Sequence, residues 1–295
     1  MQNALSRSVK AFSFLIFISA FLVTQSVVAQ NDPQLKIGEN SLSIKSGDQT
    51  RQYLLYIPSG NEGKAPLPLV LLFHGHGGTS KGVMELTGLS NVADKKNFII
   101  AAPEGIKKIW NTGFEPGGVN DVEFVKDLIR EISSKVAIDK KRIYAAGFSL
   151  GAKMCSRLAC DLSNDIAAIG AVAGFYFPAK CDPTRPVSVI TFYGTADRYD
   201  SGTEVFISTW AENYGCNKTP MTKNISTNVT QNIYTGCNGK SEVALFRIND
   251  GGHVWPDSPI AERLENAGIW EKGKTNKDIN ATNLIWSFFE AHPMP

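Results

Sequence analysis

The chain has 295 residues, with 30 lysines and arginines against 28 aspartates and glutamates, and this length is enough for one large domain with its own core. The nearly balanced charge excludes the basic surface on which nucleic-acid binding depends, so we predict no nucleic-acid partner. The chain has no CxxC pair and no Cys/His cluster with zinc spacing, so we predict no metal site and no cofactor.

The first 29 residues are predicted to be a secretory signal peptide. Arg7 and Lys10 precede the apolar run AFSFLIFISAFLV, and a stretch of small residues ends at Ala29, which is the pattern of a cleaved export signal. The run is shorter than the roughly 20 residues that span a bilayer, which disfavours the alternative of a retained membrane anchor. We therefore predict a secreted or periplasmic protein without stable membrane insertion after processing.

After a polar tail over residues 30–50, the pattern predicts one catalytic domain over residues 51–295. Apolar runs typical of buried strands alternate with amphipathic helices, which indicates a mainly parallel sheet with helices on both faces. The predicted strands are Gln52–Ile57, Leu69–Phe73, Phe98–Ala102, Arg142–Ala146, Ile166–Val172, Val187–Tyr193 and Val243–Ile248. The predicted helices are Val83–Lys96, Val119–Val136, Leu150–Cys160, Glu204–Asn213 and Thr282–His292. Only a short loop separates Gly174 from Val187, so we expect no large cap domain there.

The segment GFSLG, from Gly147 to Gly151, matches the G-x-S-x-G pattern of a nucleophile elbow. It follows a predicted strand and opens a predicted helix, which is the setting that exposes a serine hydroxyl above the sheet. We interpret Ser149 as the nucleophile. The alternative is a tight turn whose serine caps the following helix.

The order of a hydrolase triad, serine then acid then histidine, limits the base to two histidines. His253 lies on a glycine-rich loop after the last strand, whereas His292 lies near the end of the chain, so we predict His253 as general base. Asp197 follows the preceding strand and is predicted to orient the imidazole. Asp200, three residues later, is the alternative acid.

The segment FHGHGG follows a buried strand and can present backbone N–H groups to a carbonyl oxygen. We assign the N–H groups of His76 and Leu150 to an oxyanion hole, with a plain glycine turn as the alternative. The side chain of His74, in the same loop, is interpreted as structural. Trp110 and Trp255 are candidates for stacking against a substrate ring, with simple packing as the alternative.

With these residues in place, the chain resembles the polyhydroxybutyrate-depolymerase-like and feruloyl-esterase-like bacterial esterases, a group that includes the carbohydrate esterases of the first class. The resemblance runs from Gln52 to Pro293. Its motifs, in order, are FHGHGG, IWN, VNDVEFVKDLI, GFSLGAKM with RLAC downstream, YGTAD, WAENYGC and GGHVWP. The resemblance implies an α/β-hydrolase fold and the triad Ser149, Asp197 and His253.

Five cysteines follow the predicted signal peptide, and an exported protein can keep disulfides. Cys155 and Cys160 share a predicted helix and point to different sides of it, so they should not pair with each other. We predict the pairs Cys160–Cys181 and Cys216–Cys237, which also match what the resemblance suggests around RLAC and NYGC. Cys155 would then be a free buried thiol; the alternative is a Cys155–Cys181 bond.

The predicted activity is hydrolysis of a carboxylic ester through an acyl-enzyme on Ser149. The predicted partner is an ester substrate, and polymers are among the candidates. These candidates are a feruloyl or acetyl ester of a polysaccharide and a short hydroxyalkanoate polyester. A serine peptidase of the same fold is one alternative. A non-catalytic glycan-binding module is another, although an intact set of serine, aspartate and histidine argues against it.

Overall fold

The computed structural model describes residues 35–61, 63, 65–113, 118–199, 202–269 and 275–295. The predicted signal peptide lies outside these residues. Residues 35–295 form one compact unit. None of the helices within the described ranges is long and apolar enough to cross a membrane.

Ten strands of the described residues form one sheet. They are β1 (Gly38–Ser46), β2 (Gln49–Ile57), β3 (Leu67–Phe73), β4 (Ile99–Pro103), β5 (Ile138–Phe148), β6 (Ala168–Val172), β7 (Ser188–Gly194), β8 (Met221–Asn224), β9 (Val229–Tyr234) and β10 (Val243–Ile248). Their order is β1-β2-β4-β3-β5-β6-β7-β10-β9-β8. The run from β4 to β10 is parallel, whereas the pairs at both edges are antiparallel. The prediction of a mainly parallel sheet is confirmed.

Helices cover both faces of this sheet. They are α1 (Ser80–Thr87), α2 (Leu89–Lys96), α3 (Asp121–Lys135), α4 (Leu150–Asp161), α5 (Thr203–Asn213), α6 (Ala261–Asn266) and α7 (Ala281–Ala291). Apolar residues of α3, α4 and α5 form a core on one face, and those of α1, α2 and α7 form a core on the other. Strands β3 and β4 are buried along their whole length, which explains their continuous apolar sequences.

Two predicted elements need correction, and one hairpin has no counterpart among the predicted strands. Residues 38–46, predicted to lie in a tail, form the edge strand β1 beside β2. The polar stretch between Cys216 and Cys237 forms the hairpin of β8 and β9. The single helix predicted near 83–96 is divided into α1 and α2 at Gly88, which has a left-handed backbone with φ of 60°.

The cysteines pair as Cys160–Cys181 and Cys216–Cys237, with Cα atoms 5.0 Å and 3.8 Å apart. The first bond joins the end of α4 to the loop before β7, and the second joins the end of α5 to the loop after β9. Cys155 is free and buried in the core beneath α4. Burial raises the pKa of its thiol, which disfavours the reactive thiolate.

Candidate active site

Ser149 occupies the sharp turn between β5 and α4. Its φ of 55° and ψ of −117° are unusual for a residue other than glycine, and such strain is a feature of functional sites. The backbone N–H of Ser149 donates to the carbonyl of Val172, at 2.9 Å, where β6 ends. The Ser149 side chain makes no capping hydrogen bond to α4, so the alternative of a helix-capping serine is not supported.

Close backbone packing around the turn explains its glycines. A Cβ atom at Gly147 would lie 2.4 Å from the carbonyl oxygen of Gly151, and one at Gly151 would lie 2.2 Å from that of Phe73. On the other side, a Cβ atom at Gly174 would lie 2.3 Å from the carbonyl oxygen of Ser149. A side chain at any of these positions would force the backbone around Ser149 to shift.

Asp197 and His253 meet because β7 and β10 are adjacent parallel strands, with Gly194 paired to Ile248. The Nδ1 atom of His253 lies 2.8 Å from Oδ2 of Asp197. A carboxylate only accepts hydrogen bonds, so in the neutral ring Nδ1 carries the proton and Nε2 carries the lone pair. The Asp197 side chain is fully buried, whereas that of His253 is 22% exposed. The alternative acid, Asp200, lies outside the described residues.

His253 lies next to the turn that holds Ser149. Its ring centroid is 5.0 Å from that of Phe148, the residue before the serine. The centroid of the Tyr199 ring also lies 5.0 Å from that of the imidazole, in an edge-on arrangement. His292, by contrast, bonds through Nδ1 to the carbonyl of Phe288 in its own helix. The structure therefore brings together the Ser149 turn, Asp197 and His253.

The glycine-rich loop after β3 lies beside the serine because β3 and β5 are adjacent parallel strands, with Phe73 paired to Gly147. A Cβ atom at Gly75 would lie 3.2 Å from the Cβ of Ser149. The loop is folded by a 2.9 Å bond from Gly78 N–H to Gly75 carbonyl. Of the two predicted donors, His76 lies in this loop and Leu150 is the first residue of α4.

The His74 side chain holds this loop in place. Gly105 N–H donates to its Nε2 at 3.0 Å, so the proton of the neutral ring is on Nδ1, which donates to the Gly75 carbonyl at 2.8 Å. Burial lowers the pKa of His74, although the Gly75 carbonyl and the Glu104 carboxylate act in the opposite direction. Through these contacts, His74 has the structural role that the sequence predicted.

A cavity of about 610 Å³ opens at the two predicted oxyanion donors. His76 and Leu150 line it together with Ile106, Ile109 and Trp110. Its wall is mostly apolar, which suits the acyl group of an ester better than a charged group. The indole N–H of Trp110 donates to the His74 carbonyl at 2.9 Å, so this ring is held rigidly in the cavity wall.

The prediction that Trp255 binds substrate needs correction. Trp255 is buried, with 1% of its surface exposed, in the core on the α7 side of the sheet. Its indole N–H donates to Oγ1 of Thr282 at 2.9 Å. A ring packed in this way has no face available to a substrate, so Trp255 is a packing residue.

Residues 51–202 match the model of the family described as Esterase PHB depolymerase. The chain belongs to this family. It is 30% identical over 237 residues to feruloyl esterase B of Piromyces equi, a match that covers 71% of this chain and 44% of that enzyme. It is 25% identical over 230 residues to feruloyl esterase C of Emericella nidulans, covering 75% of this chain and 83% of that enzyme.

Among solved structures, the acetyl xylan esterase from Aspergillus awamori superposes with a TM-score of 0.61 at 16% identity, over 79% of this chain and 100% of that one. This likeness confirms the predicted α/β-hydrolase fold. The family membership and the feruloyl esterase relatives identify the protein as a carboxylic ester hydrolase.

The loop that forms the cavity wall of this esterase is held by an ion pair that the sequence analysis missed. Arg51 and Asp121 are buried and lie 2.8 Å apart. The other oxygen of Asp121 accepts the N–H of Asn111 at 2.7 Å, and Arg51 also donates to the Glu104 carbonyl at 3.2 Å. The pair therefore fixes both ends of the loop from Glu104 to Asn111. The motifs IWN and VND contained Asn111 and Asp121, but no local signal linked them to Arg51.

Proposed function

We propose that this protein is an exported serine esterase whose nucleophile is Ser149, whose general base is His253 and whose orienting acid is Asp197. The observation that carries the proposal is the 2.8 Å hydrogen bond from His253 Nδ1 to Asp197, formed beside the strained turn of Ser149. This bond leaves Nε2 able to accept a proton, which is the requirement for activating a serine hydroxyl.

The reaction follows from these positions. As the Ser149 oxygen attacks the ester carbonyl, His253 Nε2 takes the hydroxyl proton, and the buried Asp197 carboxylate stabilises the resulting imidazolium. The N–H groups of His76 and Leu150 stabilise the negative charge that develops on the carbonyl oxygen. His253 then gives its proton to the departing alcohol. Water attacks the acyl-enzyme by the same route and releases the acid.

For the substrate, we propose a feruloyl or acetyl ester of a polysaccharide. The mostly apolar cavity with the Trp110 ring in its wall is suited to an acyl group, including an aromatic one. The names of the relatives, feruloyl esterases and an acetyl xylan esterase, support this class. The family description favours a short hydroxyalkanoate polyester as the second candidate.

We also propose that the protein acts outside the cytoplasm. The basic start and apolar run of the first 29 residues support export. The two disulfides fit the same conclusion, because such bonds persist in oxidising compartments.

The test of the nucleophile is turnover of p-nitrophenyl acetate by a Ser149→Ala variant. Loss of a triad nucleophile lowers kcat by several orders of magnitude, so we expect activity near the background of the uncatalysed reaction with an unchanged melting temperature. Ser134→Ala, which changes an exposed serine, is the matched control and should keep full activity. If Ser149→Ala kept a tenth of wild-type turnover, Ser149 would not be the nucleophile.

The substrate class is tested by comparing kcat/KM for methyl ferulate, acetylated xylan and hydroxybutyrate oligomers. A preference of about tenfold or more for the first or second would support the polysaccharide-ester proposal, and preference for the third would favour the polyester. Wild-type protein that hydrolyses none of them but binds xylan would contradict the proposed function.

A further inference from the structure

Tyr199 combines high exposure with a fixed position at the catalytic histidine. Its side chain is 79% exposed, so it contributes little to the core. Its backbone N–H nevertheless donates to Oδ1 of Asp197 at 2.8 Å, and the edge-on contact of its ring with His253 has centroids 5.0 Å apart at an interplanar angle of 65°. The triad itself therefore determines where this exposed ring lies.

The chemistry assigns a side of the site to each half of the ester. The departing alcohol receives its proton from His253, so its oxygen must come within hydrogen-bond reach of that ring. The acyl carbonyl oxygen must point toward His76 and Leu150, which line the apolar cavity. The acyl carbonyl oxygen is thus placed at the donors that line the cavity, and the alcohol is placed at His253, which Tyr199 contacts.

We propose that Tyr199 binds the alcohol half of the substrate and that this half is a sugar. This inference rests on the proposed function of the site. A tyrosine ring has an apolar face that packs against the C–H groups of a sugar and a hydroxyl that can bond to the sugar's own hydroxyls. An exposed ring at the His253 side is suited to that role, whereas a methyl or ethyl alcohol is too small to cover it.

The test compares two esters that share one acyl group, such as methyl ferulate and feruloylated arabinose. If acetate proves to be the better acyl group, the pair is ethyl acetate and acetylated xylobiose. Both esters of a pair give the same acyl-enzyme, so the deacylation step is identical and any difference between them arises from the alcohol half. The variants are Tyr199→Ala, which removes the ring, and Tyr199→Phe, which keeps it. The matched control is Val205→Ala, which truncates another exposed apolar residue, one that is 68% exposed on α5.

We expect Tyr199→Ala to lower kcat/KM for the sugar ester about tenfold, mainly through KM, and to change the simple ester less than about twofold. Tyr199→Phe should keep most of the activity on both esters, and Val205→Ala should change neither. Equal losses on both esters, with a shifted acid limb of the pH profile, would show that the ring acts only by positioning His253. No loss on either ester would show that the ring does not touch substrate. Either result would overturn the inference.

These outcomes are separate from a failure of the proposed function. If Ser149→Ala stayed active, the triad assignment would be wrong whatever Tyr199 does. If Ser149→Ala were inactive while Tyr199→Ala changed kcat/KM equally for both esters, the triad assignment would stand and only the role of Tyr199 would be rejected.

Discussion

At the scale of single residues, one hydrogen bond gives the two nitrogens of His253 different roles. Asp197 accepts from Nδ1 at 2.8 Å, and its side chain is shielded from water. The imidazole is therefore held in a single tautomer and orientation before substrate arrives. The same aspartate accepts the N–H of Tyr199, so the carboxylate itself is also held in place.

Replacing Asp197 by asparagine should reverse this tautomer. The amide can donate to Nδ1, which moves the ring proton to Nε2, the atom that accepts the Ser149 proton in the proposed mechanism. We expect kcat for p-nitrophenyl acetate to fall on the order of 10⁴-fold with little change in melting temperature. Asp200→Asn is the matched control and should stay close to wild type. The opposite pattern, with Asp200→Asn inactive and Asp197→Asn active, would exchange the two assignments.

His74 should make the stability of the protein depend on pH. Burial lowers its pKa below the ordinary value of 6.5, so the unfolded chain binds a proton at mildly acidic pH that the folded chain rejects. The contribution of His74 to stability is thus complete above about pH 6.5 and is lost as the pH falls toward the lowered pKa. Above pH 6.5, the ring is neutral in both states and no further change is expected.

Urea unfolding at pH 7.5 and pH 5.5 checks this effect in the wild type and in His74→Gln. The wild type should lose more free energy of unfolding between the two values than the variant loses. The three other histidines are present in both proteins, so their contributions cancel in the comparison. An equal loss in the two proteins would show that His74 is not the group responsible.

At the scale of elements, local sequence patterns predicted the strands that contain apolar runs. They did not predict the strands that form because another strand pairs with them. The buried strands and the turn at Ser149 were predictable because their apolar runs and glycines are adjacent in sequence. Strand β8 is exposed along its whole length, so it has no apolar alternation to mark it, and it exists because β9 pairs with it. Strand β1 likewise depends on its pairing with β2. The prediction that Trp255 binds substrate was wrong because α7, which buries this residue, lies further along the chain. The sequence around Trp255 therefore does not indicate that it is buried.

The buried pair of Arg51 and Asp121 is the element-scale feature that holds the wall of the cavity beside His76 and Leu150. Arg51 also lies 3.8 Å from the centroid of the Phe124 ring on α3, so β2, α3 and the loop from Glu104 to Asn111 are joined at one point. Asp121→Asn removes the charge that compensates a buried guanidinium. Breaking one side of such a pair destabilises proteins by about 3–5 kcal/mol.

We therefore expect Asp121→Asn to lower the free energy of unfolding in urea by several kcal/mol, and to raise KM for aromatic esters at temperatures where it stays folded. Glu123→Gln is the control on the same helix. Its carboxylate is 47% exposed and lies 3.7 Å from both Lys126 and Arg130, and such surface pairs contribute less than about 1 kcal/mol. Equal effects of the two substitutions would contradict a special role for the buried pair.

At the scale of the whole molecule, the site is assembled from loops that follow four strands of one parallel sheet. The loops after β3 and β5 carry the proposed oxyanion donors and nucleophile, and the loops after β7 and β10 carry the proposed acid and base. Because strand order fixes which loops are neighbours, residues more than 100 positions apart come together, as Phe148 and His253 do with ring centroids 5.0 Å apart. The sequence could therefore suggest the order of the candidate residues along the chain, whereas the distances between the loops that carry them required the fold.

The two disulfides should stabilise the folded protein by similar free energies, because each restricts the unfolded chain to a similar extent. Each closes a loop with a sequence separation of 21 residues, and the chain-entropy model gives about 3 kcal/mol for a loop of that length. Their positions differ: the Cys160–Cys181 bond is attached to the helix that follows Ser149, and the Cys216–Cys237 bond holds the edge hairpin.

We expect Cys160→Ser/Cys181→Ser and Cys216→Ser/Cys237→Ser to lose similar free energies of unfolding in urea. Cys155→Ala, which leaves both bonds intact, is the control for the loss of a sulfur. A much larger loss for the first pair would show that its bond also stabilises the folded helix directly, and that the chain-entropy account is incomplete for this protein.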